Sequence, residues 1–73
     1  MDVKLGKYQH YKGKLYEVIG VARHSETLEE MVVYRALYEN EFGKNALWVR
    51  PKKLFLEDVY VGDNRVPRFT YVG

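Results

Sequence analysis

The sequence predicts a mostly β domain, a small and strongly bent antiparallel sheet, and three observations predict it. Six short apolar segments follow one another, separated by turn signals. The most ambiguous of them holds Val32-Val33-Tyr34, two β-branched residues and an aromatic in sequence. A glycine, Gly20, stands inside an apolar run, where it marks a bulge or a sharp bend. The chain has 73 residues and forms one domain, 1–73, with residues 1–5 expected to be a loosely ordered N-terminal segment. A chain this short buries only about 60% of its unfolded surface, leaving little room for a deep catalytic cleft.

The first strand is expected from Gly6 to Tyr11, followed by a hairpin turn at Lys12-Gly13-Lys14, where Gly13 is free to take positive φ. Leu15 to Ala22 follows. In extended form Tyr16, Val18 and Gly20 share one face, and Leu15, Glu17 and Ile19 the other. His24-Ser25-Glu26-Thr27 is a polar connection. Thr27 with Glu30 fits a helical capping box, but the residues from Leu28 to Tyr38 are apolar all round a helix instead of along one stripe. Met31 to Tyr38 is therefore read as a strand. Residues 40–45, with Gly43, form a loop. Leu47 to Arg50 is a strand stopped by Pro51, and Lys52 to Phe55 one short helical turn. Leu56 to Val61 and Arg65 to Val72 are strands flanking a tight turn at Gly62-Asp63-Asn64. Pro67, which has no N–H for a ladder, places the last strand at an edge or bulge. Five to six such strands with at most one helical turn match a partly closed SH3-like barrel in size.

Composition narrows the function. There is no cysteine, so neither a disulfide nor a thiolate metal site staples the fold. Seven tyrosines, three phenylalanines and one tryptophan supply the core, and hydrophobic residues at 47% mark the chain as globular. No apolar run approaches the ~18 residues of a membrane span. Met1 to Leu5 lacks the basic start and apolar stretch of a signal peptide, so a cytoplasmic location is expected. The net charge of +2 divides into basic, acidic and basic thirds: +3 over residues 1–25, −4 over 26–43 and +3 over 44–73. Such a chain folds into a dipolar surface or pairs its charges internally.

The segments His10-Tyr11-Lys12-Gly13, Tyr16-Glu17-Val18, Ala22 to Thr27, Val32 to Tyr38, Trp48-Val49-Arg50-Pro51 and Val66-Pro67-Arg68-Phe69 together resemble a family of small bacterial domains of unknown function. The resemblance covers nearly the whole chain. It implies a compact β-rich, SH3-like fold and no assigned activity. Two departures stand out: a longer loop over 39–45, and Leu54 where such sequences often have Met.

Catalytic and metal chemistry find little support. His24 and Ser25 are adjacent, so in extended chain their side chains point apart, and nothing suggests an oxyanion hole. Ser25 and Thr27 are better read as turn formers bonding nearby amides. His10, His24 and Glu26 make a poor metal set, since catalytic zinc takes about three well-placed ligands. There is no glycine-rich phosphate loop and no dinucleotide fingerprint. The chain is thus read as non-catalytic, with no cofactor and no catalytic or metal residue. Glu17 sits inside an apolar strand; facing inward it needs a cationic partner, for which Arg35 or Arg23 could serve.

The remaining candidate is a surface on which rings and cations interleave: Tyr8, His10, Tyr11, Lys12, Arg23, Tyr34, Arg35, Tyr38, Trp48 and Arg50. Trp48, Tyr34 and Phe55 are expected in the core. Tyr8, His10, Tyr11, Arg23, His24, Arg35 and Arg50 are then the candidate binding residues, with the arginine forks suited to carboxylate or phosphate. A protein or peptide partner ranks first. A nucleic acid ranks second, because a net charge of +2 is small for phosphate binding. A hydrolase or metal site around His24-Ser25 ranks last. The sequence names no partner and leaves the oligomeric state open.

Overall fold

A computed structural model describes residues 3–73. The first strand, β1 (Gly6–His10), turns through Gly13, whose φ is +105°, into β2 (Leu15–Arg23). The two pair antiparallel with Tyr8 opposite Tyr16. The bulge expected at Gly20 is present: Val18 lies opposite Tyr34 and Gly20 opposite Val33, so Ile19 is the extra residue. β3 (Glu30–Ala36) buries Val32, Tyr34 and Ala36 at every second position, the alternation of a half-buried strand.

The helix alternative fails at Leu28. Its φ of +64° lies outside the right-handed helical region, and the Thr27 hydroxyl accepts a bond from the Glu29 amide at 3.2 Å within the turn.

The 40–45 loop contains a miniature hairpin, β4 (Glu39–Asn40) with β5 (Gly43–Lys44). The Asn40 side chain accepts from the Phe42 amide at 2.8 Å and shapes its turn. β6 (Leu47–Pro51) runs directly into α1 (Lys52–Phe55), the one helical turn, with Pro51 at its N-cap. β7 (Asp58–Val61) starts two residues later than expected and pairs with β8 (Asn64–Pro67).

The expected strand from Arg65 to Val72 is two strands. Pro67 cannot extend the ladder, and the chain bends at Arg68, whose amide donates to the Glu57 carbonyl at 3.2 Å. β9 (Phe69–Tyr71) then leaves the β7–β8 ribbon and pairs with β1.

The result is a five-stranded antiparallel sheet, ordered β6-β3-β2-β1-β9, with two small ribbons. Its outer strands, β6 and β9, do not pair, so the sheet bends without closing into a barrel. One face carries the core: Tyr8, Val18, Val32, Tyr34, Phe55 and Phe69. Phe55, delivered by α1, stacks on Phe69 with centroids 4.2 Å apart, and both meet Tyr34 edge-on.

Two expectations about burial are corrected. Tyr8, expected at the surface, is only 7% exposed. β9 and α1 bring Tyr71 and Phe55 against its ring, and its hydroxyl donates to the Lys4 carbonyl at 2.8 Å. Trp48, expected in the core, is 37% exposed. It sits on edge strand β6, where its ring meets Phe42 edge-on.

Of the segment expected to be loose, residues 1 and 2 lie outside the described residues. Val3 packs against the core. Among the described residues no helix is long and apolar enough to cross a membrane.

Candidate functional site: an aromatic pocket with an arginine wall

The core face of the sheet is not covered along its whole length. α1 and β9 seal the part over Tyr8, Val18 and Val32 with Phe55 and Phe69. Beyond them an open pocket of about 280 Å³ remains, lined by Tyr16, Tyr34, Tyr38, Trp48 and Arg50. The ladder brings these together. Trp48 lies opposite Tyr34, and Arg50 lies opposite Val32. Residues 48 and 50 therefore share the core face of β6, while Tyr16 reaches the same face from β2.

The Tyr16 and Tyr38 hydroxyls are 2.6 Å apart, a short O–H···O contact in which either can donate. One of the two protons is consumed by the pair, which leaves the other for a ligand. Burial first, then this contact with Tyr38, raises the Tyr16 phenol above its ordinary value. The Tyr34 hydroxyl has no hydrogen-bond partner among the described residues.

Arg50 supplies the charge. Its guanidinium lies 5.7 Å from the centroid of the Phe69 ring. None of the ion pairs among the described residues includes it: Arg35 pairs with Glu17, Lys52 with Glu30, Arg65 with Asp58 and Arg68 with Glu57. Lys14 adds a second cation above Tyr38, 5.0 Å from its ring centre.

His10 stands beside this group, its ring against Tyr11, Tyr16 and Phe69. Its Nδ1 accepts from the Lys12 amide at 3.2 Å. Burial, then the charges of Arg50, Arg68 and Lys12, hold the imidazole below its usual pKa. It is therefore neutral at pH 7, with its proton on Nε2.

The other sequence candidates are dispersed. Tyr11 is exposed and lies on His10, with ring centres 4.5 Å apart. Arg23 is exposed at the far end of β2 and donates to the Leu28 carbonyl at 2.9 Å. His24 Nδ1 accepts from the amides of Glu26 and Thr27, at 3.1 and 3.4 Å, so its ring organises the turn. Thr27 has the turn-forming role expected of it, while His24 fills the one assigned to Ser25. Arg35 lies on the opposite face of the sheet, directly across from Glu17 and 3.1 Å from its carboxylate. That pairing is one of the two the sequence offered. His10 and His24 stand at opposite ends of β2, a strand of nine residues. No group of three metal-ligating side chains occurs among the described residues.

Of the seven predicted binding residues, Arg50 alone lines the pocket; His10 adjoins it through Tyr16, and Tyr11 packs on His10. Tyr34, Tyr38 and Trp48 belonged to the wider ring-and-cation set. Tyr16 stood outside that set and was missed as a lining residue. The clue was the Tyr16–Val18 alternation, which puts it on the face of Tyr34 once β2 and β3 are paired.

Fold and pocket thus define a small, mostly β domain with an aromatic, arginine-walled recess on one half of its sheet. The chain belongs to the DUF1653 family, proteins of unknown function, whose model matches residues 6–71. It is similar to the crystal structure of a protein of that family from Bordetella bronchiseptica. The two share 42% identity with a TM-score of 0.89, over 99% of this chain and 90% of the other. No curated protein matches the chain.

Proposed function

We propose that this domain is a non-catalytic binding module whose Tyr16–Tyr34–Tyr38–Trp48–Arg50 pocket receives part of a protein or peptide partner. The observation that carries this reading is Arg50, a cation without a carboxylate partner among the described residues, set between aromatic rings in a recess open to solvent. Of the other arginines, Arg35, Arg65 and Arg68 pair with carboxylates, and Arg23 donates to the Leu28 carbonyl at the far end of β2. An arginine held among rings in a recess, with no carboxylate beside it among the described residues, has a reason to attract an anion.

A peptide suits the recess better than a nucleic acid. Stacking of successive bases needs a run of exposed rings along a basic track. Here Tyr34 is buried, the rings enclose one small volume, and the net charge is only +2.

Selection from a displayed peptide library tests the reading, with Trp48→Ala and Arg50→Gln as counter-screens. Peptides enriched on the wild type and lost on both variants are the expected result. Enriched peptides that bind both variants undiminished would place the site elsewhere. Retention of labelled oligonucleotides at ~50 mM salt, lost in Arg50→Gln, would replace the peptide by a nucleic acid.

A further inference from the structure

Resting on that reading of the pocket, we infer that its ligand is the free C-terminal carboxylate of a peptide whose last side chain is apolar. The recess offers two chemistries in one small volume. Arg50 presents a planar fork that matches a carboxylate, and the proton left over from the Tyr16–Tyr38 pair supplies a further donor. The Trp48, Tyr34 and Tyr38 rings offer apolar surface beside it.

At about 280 Å³ the space is near the lower end for ligand sites, the size of one amino-acid residue and not of an extended segment. A chain terminus carries a carboxylate and a side chain on the same carbon, so it satisfies both walls at once. An internal aspartate or glutamate has the anion but no apolar body to fill the rings.

The local charge excludes two neighbouring chemistries. A methylated ammonium, which ring-lined pockets also take, is repelled by Arg50 in the wall and Lys14 above Tyr38. A phosphate dianion calls for several cations converging on it. Arg68, near His10, is already paired with Glu57 at 3.0 Å, which leaves Arg50 as the one fork in the lining.

Trp48 is the single tryptophan, so its fluorescence and its indole N–H resonance report this pocket. The full chain is titrated with N-acetyl-leucine, with N-acetyl-leucinamide, and with N-acetyl-glutamate carrying an amidated end. Saturable binding of the first in the millimolar range is expected, with the two amides at least about tenfold weaker. Arg50→Gln brings N-acetyl-leucine down to the level of its amide. Equal binding of acid and amide by the wild type overturns the inference, as does a response to neither by ~50 mM, a concentration well above a millimolar dissociation constant. The wild-type comparison decides the matter even should the variant misfold. A library-selected peptide that needs the pocket but binds equally with an amidated C-terminus would sink the carboxylate assignment and leave the binding module standing. Peptides that never need the pocket would sink both.

Discussion

Two aromatic residues with the same expected role separate cleanly in this structure, and alanine at each measures the separation. Phe55 is 2% exposed and packed by Tyr8, Tyr34 and Phe69. Truncating it removes a buried ring and leaves a cavity in the aromatic core. Together the transfer and cavity terms cost about 3–5 kcal/mol. Trp48 is 37% exposed on a wall open to solvent, so water fills the vacated space and the cavity term drops out. What remains is the transfer of a partly buried ring, about 1–2 kcal/mol. A 73-residue domain has about 4–11 kcal/mol in total. With a urea slope near 1 kcal/mol per molar for a chain this small, Phe55→Ala lowers the unfolding midpoint by roughly 3–5 M and Trp48→Ala by roughly 1–2 M. Urea titration followed by far-UV circular dichroism reads both. A Trp48→Ala midpoint as low as that of Phe55→Ala would overturn this separation. It would make Trp48 a core residue and the pocket a gap in packing.

Glu17→Gln tests the ion pair on the opposite face. Glu17 and Arg35 are both well hydrated, so the expected loss in urea unfolding is below about 1 kcal/mol. Gly6→Ala should be more damaging than its size suggests. Its φ is +131°, and a Cβ there would meet the Tyr71 ring at 3.2 Å and the Gly73 carbonyl at 3.3 Å, so a loss above about 1 kcal/mol is expected in the same assay. Stability should also fall at both ends of the pH range. The imidazole of His10 is held below its ordinary 6.5, so the unfolded chain binds the proton first. The urea midpoint then drops as pH falls below 6.5 and levels off below the folded value. Tyr16, raised above 10, gives stability that is complete below pH 10 and is lost as pH climbs through its folded value; Tyr16→Phe removes this part of the alkaline slope.

The strands were legible because period-two alternation survives without any knowledge of neighbours. Val32, Tyr34 and Ala36 announce their face, and Gly13 and Gly20 announce a turn and a bulge. The Glu17–Arg35 pair was named on the condition that Glu17 faced inward; it lies half exposed on the opposite face, where the register sets it across from Arg35. What alternation does not carry is whether a face is covered. Tyr8 and Trp48 both lie on the core face, yet β9 and α1 cover the first and leave the second at an open edge. That outcome depends on where the chain goes after Pro67: Arg68 still bonds Glu57, the next step of the β7–β8 ribbon, and Phe69 then crosses to pair with β1. Arg50 was singled out as an arginine with recognition chemistry. Its rings were not assigned to it, because the register that sets Trp48 against Tyr34 is a property of the paired strands.

The pocket is open to solvent and walled by Arg50, a cation without a carboxylate partner among the described residues. Ionic quenching of the single tryptophan tests it most directly. Iodide should quench Trp48 fluorescence several-fold more efficiently than caesium, and Arg50→Gln should bring the two closer together. A Trp48 that neither ion quenches would mean a closed pocket, and one that caesium quenches as well as iodide does would mean that Arg50 sets no positive field there.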